Sequence, residues 1–130
     1  MEVCLDTDVL IDFLRGNTVT VKMIKKLEKD YELATTSINI FELYYGACKT
    51  RKEKNVKAVD DLSSSLEVYM LTDKSAKISG ELIAELESRG EVIDFRDVLI
   101  AGMVIENGSS LLTGNVKHFR RIKGLKLFQK

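Results

Sequence analysis

The sequence predicts an α/β protein, a three-layer α/β/α sandwich with a mainly parallel sheet of four or five strands. Short apolar runs typical of buried strands recur along the chain, and amphipathic helical patterns separate them. No repeat, low-complexity stretch or linker interrupts this alternation, which is typical of parallel sheets covered by helices. The 130 residues are also the size of one ordinary domain, so residues 1–130 are expected to form a single domain.

The first half of the chain begins with a strand, and helical patterns follow it. Val3-Cys4-Leu5 is a short apolar run, and the helical pattern after it ends at Gly16-Asn17. Ser37 has the residue type of an N-cap and precedes apolar residues at helical spacing. The predicted elements are a strand at 3–5, helices at 8–15 and 19–29, a strand at 33–36, a helix capped by Ser37, and a charged helix at 51–64.

The second half continues the alternation and contains the most apolar helix. An amphipathic stripe runs through residues 75–89, and Gly90 is typical of a helix end. Residues 94–97 are polar enough to begin a helix whose body, 98–105, is apolar nearly all round and therefore buried. The predicted elements are a strand at 66–71, these two helices, a strand at 111–113, and a candidate fifth strand at 125–128.

Composition excludes several classes of protein. Twenty basic and twenty acidic residues give zero net charge, and 45% of residues are hydrophobic, which argues against a disordered chain and against a bulk coater of nucleic acid. The charges are uneven, because residues 117–130 carry six Lys or Arg and no acid. That basic tail suits a polyanionic substrate, and a merely solvated surface remains the alternative.

The chain is expected to act in the cytoplasm. No apolar run approaches the roughly 20 residues of a membrane helix, and the first residues have neither a basic region nor a cleavage site of a signal peptide. The two cysteines, Cys4 and Cys48, are too few for a disulfide scaffold and are expected to be reduced thiols of the core.

Four polar residues stand beside strongly apolar neighbours and form a candidate site. Asp6 follows the first strand, Glu42 lies one turn into the helix after the second, Asp97 begins the buried helix, and Asn115 follows the fourth strand. Sites in parallel sheets form beyond the carboxyl ends of the strands. Because buried carboxylates need a positive partner, a divalent cation is expected, and oxygen ligands favour Mg²⁺ or Mn²⁺ over zinc.

Structural roles remain open for several of these polar residues. Asp97 could be only a first-turn acid favoured by the helix dipole, and Glu42 could lie at the edge of its helix face. Asp8 and Asp94 have the residue type of N-caps. His118, the only histidine, lies in a basic stretch and is expected to be at the surface.

The sequence resembles PIN-domain proteins of the VapC type, the toxin half of toxin–antitoxin pairs. The matching stretches are LDTDVLIDFLRG at 5–16, TTSINIFELYYGA at 35–47, RGEVIDFRDVLIAGMV at 89–104 and LLTGNVKHF at 111–119. They occur in the order of the family and cover nearly the whole chain, so the resemblance implies a PIN-like fold.

The resemblance also implies residue roles and an activity, the metal-dependent endonucleolytic cleavage of RNA. Asp6, Glu42 and Asp97 match the metal-binding acids of the family, Asn115 its fourth polar position, and Thr113 a hydroxyl residue beside the site. Candidate phosphate-binding residues are Lys117, Arg120 and Arg121. The implied partners are an RNA substrate, a small VapB-like antitoxin and a second copy of the chain in a homodimer.

Two other interpretations fit parts of the sequence. Asp6-Thr7-Asp8 after a strand matches the first motif of haloacid-dehalogenase-like phosphatases, in which Asp6 would be the nucleophile and Asp8 the general acid. That interpretation leaves Glu42 and Thr113 without a role. A PIN-like module that only binds RNA or protein is the second alternative.

Overall fold

The computed structural model describes residues 1–129, which contain four strands and seven helices. The strands are β1 (Glu2–Leu5), β2 (Glu32–Thr36), β3 (Glu67–Tyr69) and β4 (Ser110–Leu112). The helices are α1 (Thr7–Leu14), α2 (Thr18–Asp30), α3 (Ser37–Lys49), α4 (Glu53–Ser64), α5 (Asp73–Ser88), α6 (Phe95–Glu106) and α7 (Val116–Phe119). The predicted alternation of strands and helices is therefore confirmed.

The four strands form one parallel sheet in the order β3-β2-β1-β4. Successive side chains of β1 point to opposite faces, since Val3 and Leu5 pack against α1–α4 whereas Cys4 packs against the side formed by α5–α7. Leu111 and Leu112 of β4 divide between the same two cores. The sheet thus has a helical layer on each face, which confirms the predicted three-layer α/β/α sandwich.

Some predicted boundaries are wrong. Residues 125–128 do not form a fifth strand, because only an isolated parallel bridge joins Leu127 to Leu111. Ser37 is the first residue of α3 rather than its cap, and the buried Thr36 caps the helix with its side chain. The third strand was predicted to reach residue 71 but ends at Tyr69, the last residue of β3 that pairs with β2. Met70, the next residue, is exposed.

The chain order places a crevice between β1 and β4. After β1 the connections build outward through β2 to β3, and the chain then crosses the sheet through α5 and α6 to return on the other side of β1. Strand order reverses at this point, and the ends of β1 and β4 lie side by side there, with Leu5 paired to Leu112. Ligands of open α/β sheets bind at such a switch point.

Within residues 1–129, no helix combines the length and the apolar character that crossing a membrane requires. Cys4 is a buried free thiol of β1, as expected, whereas Cys48 is an exposed free thiol on α3 and not part of the core. Burial and the nearby carboxylates raise the pKa of the Cys4 thiol well above its ordinary value.

Gly102 allows α5 and α6 to pack closely, and Gly102→Ala is expected to destabilise the protein by about 1–3 kcal/mol. A Cβ atom at position 102 would lie 2.0 Å from Ser79 Oγ and 2.8 Å from the backbone oxygen of Ser75. Neither atom can move far, since Ser79 is buried and its hydroxyl donates to the carbonyl of Val98. The shift in the urea midpoint of unfolding measures the effect.

Gly80, in the interior of α5, is the matched control. A Cβ atom there meets no atom within 4 Å, so Gly80→Ala is expected to stabilise the helix by roughly 0.5–1 kcal/mol. Equal urea midpoints for the Gly102→Ala variant and the parent chain would contradict the close packing of α5 on α6.

Candidate active site at the ends of β1 and β4

Asp6 lies at the switch point and is buried, with only 8% of its surface exposed. Its backbone N–H donates to the carbonyl of Leu112 at 3.0 Å, which fixes the residue against the end of β4. Thr113 Oγ1 donates to Asp6 Oδ2 at 2.7 Å. The other oxygen, Oδ1, accepts from Thr7 N at 2.9 Å and from Asn39 Nδ2 at 3.0 Å. Uncharged donors therefore orient both oxygens.

The environment of Asp6 makes its ionised form costly. Burial, with the negative charges of Asp8 and Asp97 as smaller contributions, raises the pKa of Asp6 from its ordinary value of 3.8 to a net value of about 6. The hydrogen bonds from Thr113 and Thr7 oppose this shift. The charge of Asp97 thus acts on Asp6 although the two residues are far apart in sequence, as expected for acids at one site.

Asn39 joins Asp6 to the beginning of α3 and is a residue that the sequence reasoning missed. Its oxygen accepts from Thr36 N and Oγ1, which completes a capping box, and its amide nitrogen donates to Asp6 Oδ1 and Thr7 Oγ1. The side chain is fully buried. The sequence signal was a Thr followed three residues later by an amide between two isoleucines, Ile38 and Ile40.

Glu42 connects to the same hydrogen-bonded group from the next turn of α3. Thr7 Oγ1 donates to Glu42 Oε1 at 2.5 Å, so Thr7 bridges Asn39 and Glu42. The second oxygen of Glu42 lies 3.6 Å from Arg96 Nη1. Arg96 also pairs with Asp94 at 3.0 Å and holds the pKa of that carboxyl below its ordinary value.

Asp94 and Asp8 have different structural roles. Asp94 is the N-cap of α6 and accepts from Arg96 N, as the sequence predicted. Asp8 was predicted to be an N-cap but lies in the first turn of α1, whose N-cap is Asp6. The exposed Asp8 side chain accepts from Gly114 N at 2.9 Å and so links α1 to the loop after β4.

Asp97 contacts the histidine that the sequence placed at the surface. His118 Nε2 lies 2.7 Å from Asp97 Oδ2, and each of the two side chains is only 25% exposed. The surface position expected for His118 is therefore wrong. Its partner lies 21 residues away in sequence, and only the packing of α7 beside the beginning of α6 brings the two together.

The remaining predicted residues lie on the loop and short helix after β4. The Asn115 backbone N–H donates to Thr113 Oγ1, while the residue itself is exposed. Lys117 and Arg120 are exposed on and just after α7, and their contact with phosphate stays a prediction. Arg121 is half-buried and its guanidinium is engaged within the protein, so a phosphate-binding role for it is also only a prediction.

The three acids Asp6, Glu42 and Asp97 lie near the carboxyl ends of the strands. Their carboxylate oxygens do not all lie within 4.8 Å of one another. Among residues 1–129, the one group of three acids whose oxygens approach within 4.8 Å of one another is instead Glu2, Glu32 and Glu67. Those residues begin β1, β2 and β3, at the opposite edge from Asp6. The donor set at the predicted site consists of carboxylate oxygens, which suits a hard divalent cation.

The sequence is similar to that of known proteins. A family model described as the PIN domain matches residues 3–125. Ribonuclease VapC2 of Rickettsia felis is 38% identical over 103 residues, covering 78% of this chain and 77% of that protein. Ribonuclease VapC3 of Methanocaldococcus jannaschii is 36% identical, covering 79% of this chain and 98% of that protein.

Solved structures agree with the sequence relatives. The crystal structure of VapBC2 from Rickettsia felis, bound to a DNA fragment from its promoter, contains a chain that is 33% identical and superposes with a TM-score of 0.91. The superposition covers 98% of both chains, so the two chains share one fold over nearly their whole length. This chain therefore belongs to the PIN-domain family, among its members of the VapC type.

Proposed function

We propose that this chain is a metal-dependent endoribonuclease, the toxin of a type II toxin–antitoxin pair, and that it acts in the cytoplasm. The observation that carries the proposal is Asp6, a buried carboxylate at the switch point of the sheet with both oxygens oriented by neutral donors. Its relatives named above are ribonucleases by name, and PIN-domain VapC nucleases are metal-dependent as a class.

Mg²⁺ or Mn²⁺ is the proposed cation, held by Asp6, Glu42 and Asp97. When bound, such a cation neutralises charge on a phosphodiester and lowers the pKa of a water molecule. The chain's own residues orient the ligands, since Thr113 donates to Asp6 and Thr7 donates to Glu42.

Substrate contacts are assigned to the residues after β4. Asn115 lies exposed next to the site, and we assign its amide to binding a water molecule or a phosphate oxygen there. Lys117 and Arg120 are exposed cations on the same segment, and we assign them to the flanking phosphates of an RNA strand. Arg121 is the third residue of this assignment, although its guanidinium already has protein partners.

A VapB-like antitoxin is the proposed protein partner. A cavity of about 280 Å³ between α1, α3 and α4 is mostly apolar and reaches Glu42, so a peptide bound there would lie beside the site. Its apolar lining includes Ile11, Leu14, Leu43, Ala47 and Val59. Phe41 is 56% exposed on α3 and stacks on Tyr45. A homodimer stays a prediction from the family resemblance.

A metal titration tests the proposed function. Purified chain freed of metal with EDTA is incubated with an end-labelled RNA while Mg²⁺ or Mn²⁺ is added, and cleavage and melting temperature are both followed. The proposal expects cleavage only with metal, together with a rise in melting temperature because the cation binds the folded state. If metal changes neither quantity, the chain is a binding module rather than a nuclease.

Asp8→Asn separates the nuclease from the phosphatase interpretation. A phosphatase that uses Asp6 as nucleophile would lose its general acid, whereas Asp8 is here an exposed residue that accepts from Gly114 N. We expect the variant to retain RNA cleavage within about tenfold of the parent chain, a change of about 1.4 kcal/mol in activation free energy. Loss of RNA cleavage in Asp8→Asn, with phosphatase activity in the parent chain, would reverse the assignment.

A further inference from the structure

His118 has two polar partners that together fix the position of its proton. Its Nε2 lies 2.7 Å from Asp97 Oδ2, and its Nδ1 lies 3.1 Å from Arg121 Nη2. A guanidinium group has only N–H donors and no acceptor. The Nδ1 atom that faces Arg121 must therefore be the acceptor, which leaves the proton of a neutral ring on Nε2, directed at Asp97.

Arg121 is itself held in place by the backbone on both sides of the site. Its Nε donates to the carbonyl of His118 at 3.1 Å, and its Nη1 donates to the carbonyl of Val92 at 3.1 Å. Nη1 also lies 3.4 Å from Glu91 Oε1. Arg121 thus ties the segment that leads into α6 to the segment that contains α7, and the ring of His118 stands between it and Asp97.

The hydrogen bond from His118 determines the orientation of the Asp97 carboxylate. With Oδ2 bound by the ring, the rotation of the carboxylate is fixed, and within residues 1–129 no hydrogen bond is made to Oδ1. A group that donates to a ligand in this way orients it, and loss of such partners typically lowers metal affinity 10–100-fold.

We propose that His118 is a positioning residue, which Arg121 holds in its Nε2–H form so that it orients Asp97 toward a divalent cation. The proposal rests on the proposed function only in taking Asp97 as a metal ligand. The tautomer of the His118 ring does not depend on a bound metal and is tested in the metal-free protein.

Nitrogen NMR of the imidazole tests the form of the ring. The chain has one histidine, so a long-range ¹H–¹⁵N spectrum of labelled, metal-free protein contains one imidazole. At pH 8 we expect Nε2 to be protonated and Nδ1 bare, as the contacts with Asp97 and Arg121 require. In Arg121→Met, which removes the donor to Nδ1, the Nε2–H tautomer should stay the major form because Asp97 still accepts that proton, and the Nδ1–H tautomer should become detectable. A proton on Nδ1 in the parent chain would overturn the proposal.

Metal affinity tests the orienting role. Binding of Mn²⁺ to the metal-free chain is measured by electron paramagnetic resonance, with thermal unfolding to verify that each variant is folded. His118→Leu should bind Mn²⁺ about tenfold more weakly. His118→Gln, whose amide N–H can take the place of Nε2–H, should stay within about threefold of the parent chain.

The outcomes distinguish the two proposals. If the parent chain binds Mn²⁺ and His118→Leu binds it equally well, the orienting role is wrong while the proposed function stands. Equal weakening in His118→Leu and His118→Gln would likewise overturn the role of the donated hydrogen bond. If the parent chain binds no Mn²⁺, the proposed function fails and the orienting role with it, whatever tautomer the ring adopts.

Discussion

Replacing Asp6 with Asn is expected to abolish metal-dependent RNA cleavage and to leave the metal-free protein at least as stable as the parent chain. The first effect follows from the proposed function, because an amide cannot supply the negative charge that a divalent cation needs. We expect a loss of at least about 10³-fold in cleavage rate, which corresponds to roughly 4 kcal/mol of activation free energy.

The stability effect follows from the burial of Asp6. The pKa of Asp6 is raised to about 6 in the folded state from an ordinary value of 3.8. Between these two pH values the folded state holds a proton that the unfolded state has lost. Stability of the parent chain therefore falls as the pH rises from about 4 to about 6, and above pH 6 the ionised carboxylate costs roughly 3 kcal/mol. Asn carries no such charge at any pH in this range.

An Asn side chain can also keep most of the hydrogen bonds. Its oxygen can accept from Thr7 N and Asn39 Nδ2, and its amide can donate to Thr113 Oγ1, whose hydroxyl would then turn away. We expect the melting temperature of metal-free Asp6→Asn at pH 8 to be equal to that of the parent chain or higher by several degrees. At pH 4 the difference should disappear.

Asp12→Asn is the matched control. Asp12 lies on α1 and is exposed, so its loss should change neither cleavage nor melting temperature appreciably. A melting temperature of Asp6→Asn far below that of the parent chain at pH 8 would mean that Asp6 is a structural residue. Full RNase activity in the same variant would remove the basis of the nuclease assignment.

The residues predicted correctly are those whose signal is local. Asp6 stands directly after a buried apolar strand, so its position at the end of β1 follows from the sequence. The helical patterns likewise predicted α1 to α6, but not the four-residue α7, because those six helices bury apolar residues at helical spacing. The same reasoning failed at residues 125–128. Their residue types are typical of a strand, but they make only one bridge to β4, because strand pairing at the edge of a sheet depends on tertiary packing as well as on residue type.

Residues that act through distant partners escaped the sequence reasoning. His118 was predicted to be a surface residue because its own segment is basic. No feature of the sequence around it indicates that Asp97 is its partner. Arg96 lies next to Asp97 in sequence yet pairs with Glu42 from another helix. Asn39 has a capping pattern, but its second role as donor to Asp6 depends on the ends of β1 and β2 being neighbours.

Asn39→Asp is expected to destabilise the protein by about 3–5 kcal/mol at pH 8, although it changes only one side-chain atom. The amide nitrogen that the substitution replaces lies 3.0 Å from Asp6 Oδ1 and 2.8 Å from Thr7 Oγ1. A carboxylate oxygen in its place would face the carboxylate of Asp6 at a position where Asn39 has no exposed surface. Two buried carboxylates that close cannot both be ionised without a large penalty.

The pH dependence identifies the cause of this loss. Repulsion raises the folded-state pKa of the pair formed by Asp6 and the introduced carboxyl, so the variant recovers stability as the pH falls and one of the two takes up a proton. Once protonated, the introduced carboxyl can again donate to Asp6. The difference in free energy of unfolding from the parent chain, measured in urea, should therefore be smaller at pH 5 than at pH 8.

Asn55→Asp provides the comparison, because Asn55 lies in the first turn of α4 and its amide donates to Thr50 Oγ1 in an exposed hydrogen bond. A new negative charge there is favoured by the helix dipole, so we expect a change below about 1 kcal/mol with little dependence on pH. If Asn39→Asp were as well tolerated as Asn55→Asp, the amide of Asn39 would not be what holds Asp6. The oriented, buried carboxylate on which the nuclease proposal depends would then need another explanation.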